Sequence, residues 1–230
     1  MRRYRRRPKK IRLGTLLVLL LLVTVFLVSC AAGSGPLWVR GFLGYDLKNY
    51  QIEPPVETLS NDGEESATLC GMVELLLGNT AELSSFSGST RAVKLYREQL
   101  LVAMLRQHYS LYNCNAELAR AAKAAYPYRT LCTLIPKEDF EAFVFRNFGG
   151  SRVSHKSGEL FEYLAKIGCY TSPVQVQNGS AKITVKELFR TEHTYRMYFT
   201  LTAGEKSRSY VAVFLMRQDG SSYFYSLARH

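Results

Sequence analysis

The chain has 230 residues and a formal charge of +11, and 47% of its residues are hydrophobic. This apolar content exceeds what disordered chains carry, so most of the sequence is expected to fold. Eight basic residues lie within residues 1–12, and without them 22 basic residues stand against 19 acidic ones. The remainder is nearly neutral. This argues against nucleic acid as a partner, because domains that bind it keep a basic patch in their folded part.

The N-terminal segment joins this basic cluster to an unbroken apolar run, residues 13–28, which closes on Leu27-Val28-Ser29-Cys30. Lys and Arg before an apolar run stay on the cytoplasmic side, so everything after Ser34 is expected outside. Two interpretations compete. Residues 15–29 fit a cleaved signal peptide, and residues 13–32 fit an uncleaved spanning helix of about 20 residues.

The four residues Leu27-Val28-Ser29-Cys30 resemble the lipobox of bacterial lipoproteins, in which an apolar, a tolerant and a small residue precede cysteine. The resemblance implies that the signal is cut just before Cys30 and that the cysteine thiol receives a diacylglyceryl group. It covers these four positions and their context, and it does not extend to the folded domain. Under either interpretation membrane lipid is a partner. The predicted location is the outer face of the cell membrane, with lipidated Cys30 or an uncleaved helix (N-terminus inside) as the anchor.

The sequence predicts three regions. Residues 1–30 are the signal peptide or anchor. Residues 31–65 form a tether that contains Pro54-Pro55 and ends in a polar stretch, residues 61–65. Residues 66–230 form a single extracytoplasmic domain, which is large enough to bury its own core.

Helical periodicity dominates the first half of this domain. It predicts helices from Ser66 to Leu77, from a Thr90 cap to Tyr112, over residues 116–125, from Pro136 to a stop at Gly149, and over residues 159–167 behind a Ser157 cap. The second helix carries His108 in its apolar stripe, which is typical of a core position. Residues 128–135 are β-prone and predict a first strand.

From Pro173 onward the apolar period changes from 3.6 to 2. Strands are predicted over residues 174–176, 182–190, 195–201, 210–216 and 223–227, with tight turns at Asn178-Gly179, Gly204 and Asp219-Gly220. Helices followed by a four- to five-strand antiparallel meander predict an α+β fold behind the membrane segment. In element order alone this resembles NTF2-like and cystatin-like domains. Residues 210–216 are apolar on both faces, so the second face is expected to be covered or to line a pocket.

No chemical motif appears in the domain. His108, His155, His193 and His230 share no metal-ligand spacing, and no Cys-x-x-Cys occurs. We therefore expect no metal, no cofactor and no catalytic residues, which leans against an enzyme. Outside the cytoplasm the remaining cysteines could form two disulfides, but their apolar surroundings favour buried free thiols. These cysteines are Cys70, Cys114, Cys132 and Cys169.

Tyrosines are the remaining candidates for a binding surface, since five of them cluster on the predicted meander: Tyr195, Tyr198, Tyr210, Tyr223 and Tyr225. Strand propensity alone also explains the cluster. The sequence thus favours a non-catalytic binding or scaffolding domain of the bacterial cell envelope, with an envelope protein, peptide or glycan as its partner. The alternative is an envelope enzyme, or an inhibitor or sensor of cell-wall enzymes, with its site in the concave face of the sheet.

Overall fold

The described part of the chain has the predicted α+β architecture. A computed structural model describes residues 54–77, 82–131, 133–150, 153–172 and 181–230. The chain divides into two units, Met1–Ile52 and Glu53–His230, and all described residues belong to the second. Its elements, in chain order, are β1 (Glu57–Thr58), α1 (Glu64–Leu77), β2 (Phe86–Ser87), α2 (Ser89–Cys114), α3 (Ala116–Ala125), β3 (Ile135–Pro136), α4 (Lys137–Phe148), β4 (Glu162–Leu164), β5 (Cys169–Thr171), β6 (Lys182–Arg190), β7 (Thr194–Ala203), β8 (Lys206–Met216) and β9 (Ser222–Arg229).

The strands form two antiparallel sheets. The larger has the order β1-β6-β7-β8-β9-β2, so the predicted meander of β6 to β9 gains a short strand at each edge. The smaller has the order β3-β5-β4. Residues 57–65, which we expected in the tether, provide β1 and the start of α1, because Glu57 and Thr58 pair with the end of β6.

The core lies between the helices and one face of the larger sheet. Alternate residues of β7 and β8 point into it, and Met197, Phe199, Tyr210 and Phe214 are at most 1% exposed. Residues of α1, α2 and α4 complete the same cluster. On the opposite face of β8, Val213 is also fully buried. As the apolar pattern of residues 210–216 predicted, both faces of this strand are therefore covered at Val213.

Helices α1, α3 and α4 follow the sequence prediction closely. Helix α3 has the predicted bounds, and the Asn115 side chain caps it by accepting a hydrogen bond from the Leu118 N–H at 3.0 Å. Helix α4 follows Pro136 and ends at Gly149, which adopts φ = +73°. Helix α1 begins at Glu64, so that its first turn contains two glutamates against the positive end of the helix dipole.

Helix α2 corrects two predictions. Its N-cap is Gly88 rather than Thr90, and no side chain bonds to the free N–H groups there. The helix also bends at His108, whose backbone is not helical (φ −133°, ψ 35°). The bend turns the apolar stripe, so that His108 and Tyr109 face solvent while Tyr112 returns to the core. The prediction that His108 occupies a core position is therefore wrong.

Two predicted elements differ from the structure of the described residues. Of the predicted strand over residues 128–135, the described residues form a strand only from Ile135, and Tyr128 is fully exposed. Residues 159–167 do not form the predicted helix. They contain β4, which pairs with the following strand β5 in a short hairpin. The backbone N–H groups of this segment donate to side chains and not to carbonyls of a helix of their own. The Leu160 N–H donates to the Glu98 carboxylate at 2.9 Å, and the Tyr163 N–H donates to the Ser157 hydroxyl at 3.0 Å.

Several predictions lie outside the described residues. These are the strand over residues 174–176, the Asn178-Gly179 turn, and all features of residues 1–53, including the apolar run and Cys30. Among the described helices, none is both long and apolar enough to cross a membrane.

Candidate functional site

A broad cleft of about 1590 Å³ opens between α1, α4 and the turn that joins β8 to β9. The N-terminal half of α1 forms one wall, and α4 forms the other from Glu138 to Asn147. Residues 217–222 close one end, together with Tyr195 at the start of β7. The cleft exceeds the ~300–1,000 Å³ that enclose a small ligand, so its dimensions suit a longer, partly solvated segment.

The floor of the cleft is apolar. The apolar residues that line the cleft are Leu69 and Met72 of α1, Ala142 and Phe145 of α4, and Val153. Phe145 is 63% exposed although it is a large aromatic residue. Exposed aromatic rings within a concave surface are typical of binding sites, because covering them removes apolar area from water.

The rim of the cleft is acidic. Five carboxylate side chains line it, and only two guanidinium groups accompany them, those of Arg146 and Arg217. The carboxylates are Glu64, Glu65, Glu138, Glu141 and Asp219. Glu138 and Glu141 are three residues apart and therefore share one face of α4. Since the chain beyond residue 12 has a small positive charge, this negative cleft is a local property.

Arg217 is largely engaged by its own protein. One of its terminal nitrogens donates to the carbonyls of Phe145 and Arg146, both at 2.9 Å, and the other donates to Ser221 at 3.2 Å. The guanidinium also stacks on Tyr223, 4.9 Å from the ring centre. Its charge thus compensates the carbonyl end of α4 and ties that end to the β8–β9 turn. A ligand consequently meets the carboxylates with little competition from this arginine.

A chain of hydrogen bonds leads from the core to the cleft. The His155 Nδ1 lies 3.0 Å from the Tyr170 hydroxyl, and its Nε2 lies 2.8 Å from Oε1 of Glu141. The imidazole stacks on Tyr163 with ring centres 5.3 Å apart. Tyr170 is fully buried, and burial is the main cause that raises its pKa to about 12. Glu141, by contrast, is half exposed and lines the cleft.

The five tyrosines predicted to face a ligand are not brought together. Tyr195 lines the cleft, and Tyr223 contacts it through Arg217. Tyr198 lies on the opposite face of β7 from Met197, in contact with Phe189 and His230, outside the cleft. Tyr210 is in the core, where its hydroxyl accepts a hydrogen bond from the Leu83 N–H at 3.1 Å. Tyr225 is half-buried in β9, beside the bulge in its pairing with β8.

The described cysteines are free thiols, but they differ in exposure. Cys169 is buried and Cys70 is half-buried, as the apolar contexts predicted, whereas Cys114 is exposed at the end of α2 beyond the bend. Burial raises the pKa of Cys169 to about 11 and also raises that of Cys70. Both thiols are thereby kept protonated and unreactive. Cys132 lies outside the described residues.

Sequence reasoning missed the carboxylates of α4 and their link to His155. The three-residue spacing of Glu138 and Glu141 on the predicted helix could have pointed to a shared face. The link from Glu141 to His155 depends on tertiary structure, because the loop that contains His155 is placed by its contacts with α2.

Within the described ranges, no three His, Cys, Asp or Glu side chains are grouped closely enough to hold a metal ion, so the carboxylates are dispersed along the cleft. Comparison with known proteins found no matching family model, no matching curated protein and no matching solved structure.

Proposed function

We propose that this chain is a membrane-tethered extracytoplasmic binding domain of the bacterial cell envelope, and that its cleft binds a positively charged, extended peptide segment. The observation that carries the proposal is the combination of an apolar floor with an acidic rim. Lysine and arginine side chains match both parts, because their methylene stems cover apolar surface while their charged ends reach carboxylates. Complementary charge mainly increases selectivity and the rate of association.

The tether in this proposal rests on the N-terminal sequence alone. Lipidated Cys30 or an uncleaved helix holds the domain at the outer face, and the cleft then meets envelope proteins or peptides. The resemblance to NTF2-like and cystatin-like domains, which is one of element order alone, belongs to the same proposal.

The binding proposal is tested with the full chain in a nonionic detergent. The probe is a short fluorescent peptide in which lysine and leucine alternate, and its anisotropy reports binding. Replacement of Glu138 and Glu141 together by Gln should weaken binding by about tenfold or more, as loss of close charge pairs does at other interfaces. The matched control is Glu117→Gln with Glu187→Gln, two exposed acids outside the cleft. An equal effect of both pairs, or equal binding of a peptide with glutamate in place of lysine, would contradict the proposal.

The location is tested separately. Intact-mass analysis of the native protein reports cleavage before Cys30 and acylation together, and protease added to intact protoplasts reports the side on which the domain lies. A native protein that retains Met1 and is protected from external protease would overturn the location without affecting the peptide measurement.

The alternative, an envelope enzyme, has one specific observation in its favour. Glu141 and His155 are hydrogen-bonded at the cleft wall, and such a pair can exchange protons with a bound substrate. Release of soluble fragments from purified cell-wall material by the full chain, abolished in Glu141→Gln, would favour this alternative. Absence of release at any protein concentration would remove it.

A further inference from the structure

The loop that contains His155 is fixed to the rest of the domain. The Glu98 carboxylate of α2 accepts a hydrogen bond from the Leu160 N–H at 2.9 Å, and Arg97 donates to the Ser157 carbonyl at 3.4 Å. The His155 side chain is only 14% exposed and lies flat against Tyr163. The imidazole therefore has a defined position, which distinguishes it from a surface histidine that swings freely.

Both ring nitrogens of His155 have hydrogen-bond partners. Because burial raises the pKa of Tyr170 to about 12, the Tyr170 hydroxyl keeps its hydrogen at neutral pH. A carboxylate has no hydrogen to donate, so Nε2 of His155 is the donor to Glu141, and Nδ1 shares the second hydrogen bond with the Tyr170 hydroxyl.

We propose that His155 is a positioning residue: it holds the Glu141 carboxylate in the orientation in which it receives the cationic group of the cleft ligand. The inference rests on the proposed function, since it concerns the same cleft and the same peptide. Glutamate side chains lose rotamer freedom when they bind, and a carboxylate that is already held in place loses less on binding. His155 itself lines no part of the cleft and is not expected to touch the ligand.

The test compares two substitutions of His155 in the full chain, with the lysine–leucine peptide as the probe. In His155→Gln the side-chain amide places an N–H donor near the position of Nε2, whereas His155→Ala has no donor. Both variants lose the stacking on Tyr163. We expect His155→Ala to weaken peptide binding by about fivefold and His155→Gln to remain within about twofold of the parent protein, because only the former releases Glu141.

Three further measurements make the result decisive. Thermal unfolding should show similar losses for the two variants, which separates positioning from a purely structural role. In a Glu141→Gln background His155→Ala should have little additional effect on binding, because the two residues act as a unit. Nitrogen NMR of the imidazole should show the proton on Nε2. Equal weakening by both His155 variants, or additive effects of the Glu141 and His155 substitutions, would overturn the inference. Absence of binding by the parent protein would instead refute the proposed function.

Discussion

Cys169 and Cys114 illustrate how burial affects the reactivity of single residues. Cys169 is 1% exposed, and burial is the main cause of its raised pKa, with the charges of Glu138 and Asp139 adding to it. Cys114 lies on the surface after the bend in α2. The thiolate is the reactive form of cysteine, so both burial and the raised pKa slow reaction at Cys169.

We predict that iodoacetamide alkylates Cys114 at least about a hundredfold faster than Cys169 in the reduced, folded protein at mildly alkaline pH, since the raised pKa alone lowers the thiolate population by roughly this factor. Peptide mass analysis assigns each modification to its residue. The control is the same reaction in denaturant, where the two rates should converge. Comparable rates in the folded protein would show that Cys169 is accessible.

At the scale of elements, Gly149 determines how α4 meets the sheet. It ends the helix with φ = +73°, and a Cβ atom there would overlap the ring of Tyr223, with two ring carbons at 2.6 and 2.8 Å and a third closer still. Gly204 has a similar φ of +59° in the β7–β8 turn, but a Cβ there meets nothing within 4 Å. The two glycines thus share a left-handed backbone conformation that would strain an alanine. They differ in how closely neighbouring atoms would approach its Cβ.

We predict that Gly149→Ala lowers the free energy of unfolding by about 2–3 kcal/mol, against about 1 kcal/mol for Gly204→Ala, which pays only the backbone cost. Denaturant unfolding followed by circular dichroism measures both. Because Tyr223 stacks on Arg217, the first substitution should also disturb the end of the cleft. Equal losses at the two positions would mean that Tyr223 moves aside freely.

The helices and the meander could be predicted from sequence wherever a period persisted over many residues. Helix α3, helix α4 and strands β6 to β9 are examples, and the glycine stops at Gly149 and Gly204 added to the same patterns. Residues 159–167 show the limit. Their apolar spacing fits a helix, but their N–H groups bond to Glu98 and to Ser157, which no local pattern reveals.

The cleft could not be predicted from the sequence for the same reason. Its walls, α1 and α4, are separated by about sixty residues in the sequence. One end of the cleft is the turn that joins β8 to β9. Tyr195 was predicted to face a ligand and does line the cleft, but tyrosines with the same strand pattern, such as Tyr210, lie in the core. Strand alternation shows which residues share a face of the sheet. Only tertiary packing determines whether that face is covered or exposed to solvent.

At the scale of the whole molecule, buried phenols and thiols make stability depend on alkaline pH. Burial raises the pKa of Tyr112 and of Tyr170 to about 12 from an ordinary value of 10.0, and that of Cys169 to about 11 from 9.0. Burial also raises the pKa of Tyr96. Folding thus favours the protonated forms. Their contribution is complete below the unfolded-state values and is lost as the pH rises through the folded-state values.

We predict that the free energy of unfolding is level near neutral pH and falls steadily between about pH 9 and pH 12. Denaturant unfolding at a series of pH values tests this, with tyrosinate absorbance as a second probe. Tyr170→Phe should reduce the slope above pH 10, because it removes one of the groups that titrate differently in the two states. A slope unchanged by this substitution would show that Tyr170 ionises normally in the folded protein.

The charge of the molecule is separated between its parts. The basic excess lies in residues 1–12, the remainder is nearly neutral, and the cleft is acidic. Under the proposed function, the basic cluster sets membrane topology and the cleft binds the ligand. Binding of a cationic peptide should weaken as salt is added, since much of the rim is exposed and subject to screening.

An amide NMR titration of the isotope-labelled full chain with the lysine–leucine peptide shows whether the cleft is the binding site. We expect saturable shifts confined to the first turns of α1, the exposed face of α4 and the β8–β9 turn, and in the Glu138→Gln, Glu141→Gln protein we expect the midpoint to move to about tenfold higher peptide concentration or more. Shifts centred on the face of the sheet that carries Tyr198, or no saturable shifts at all, would contradict this expectation.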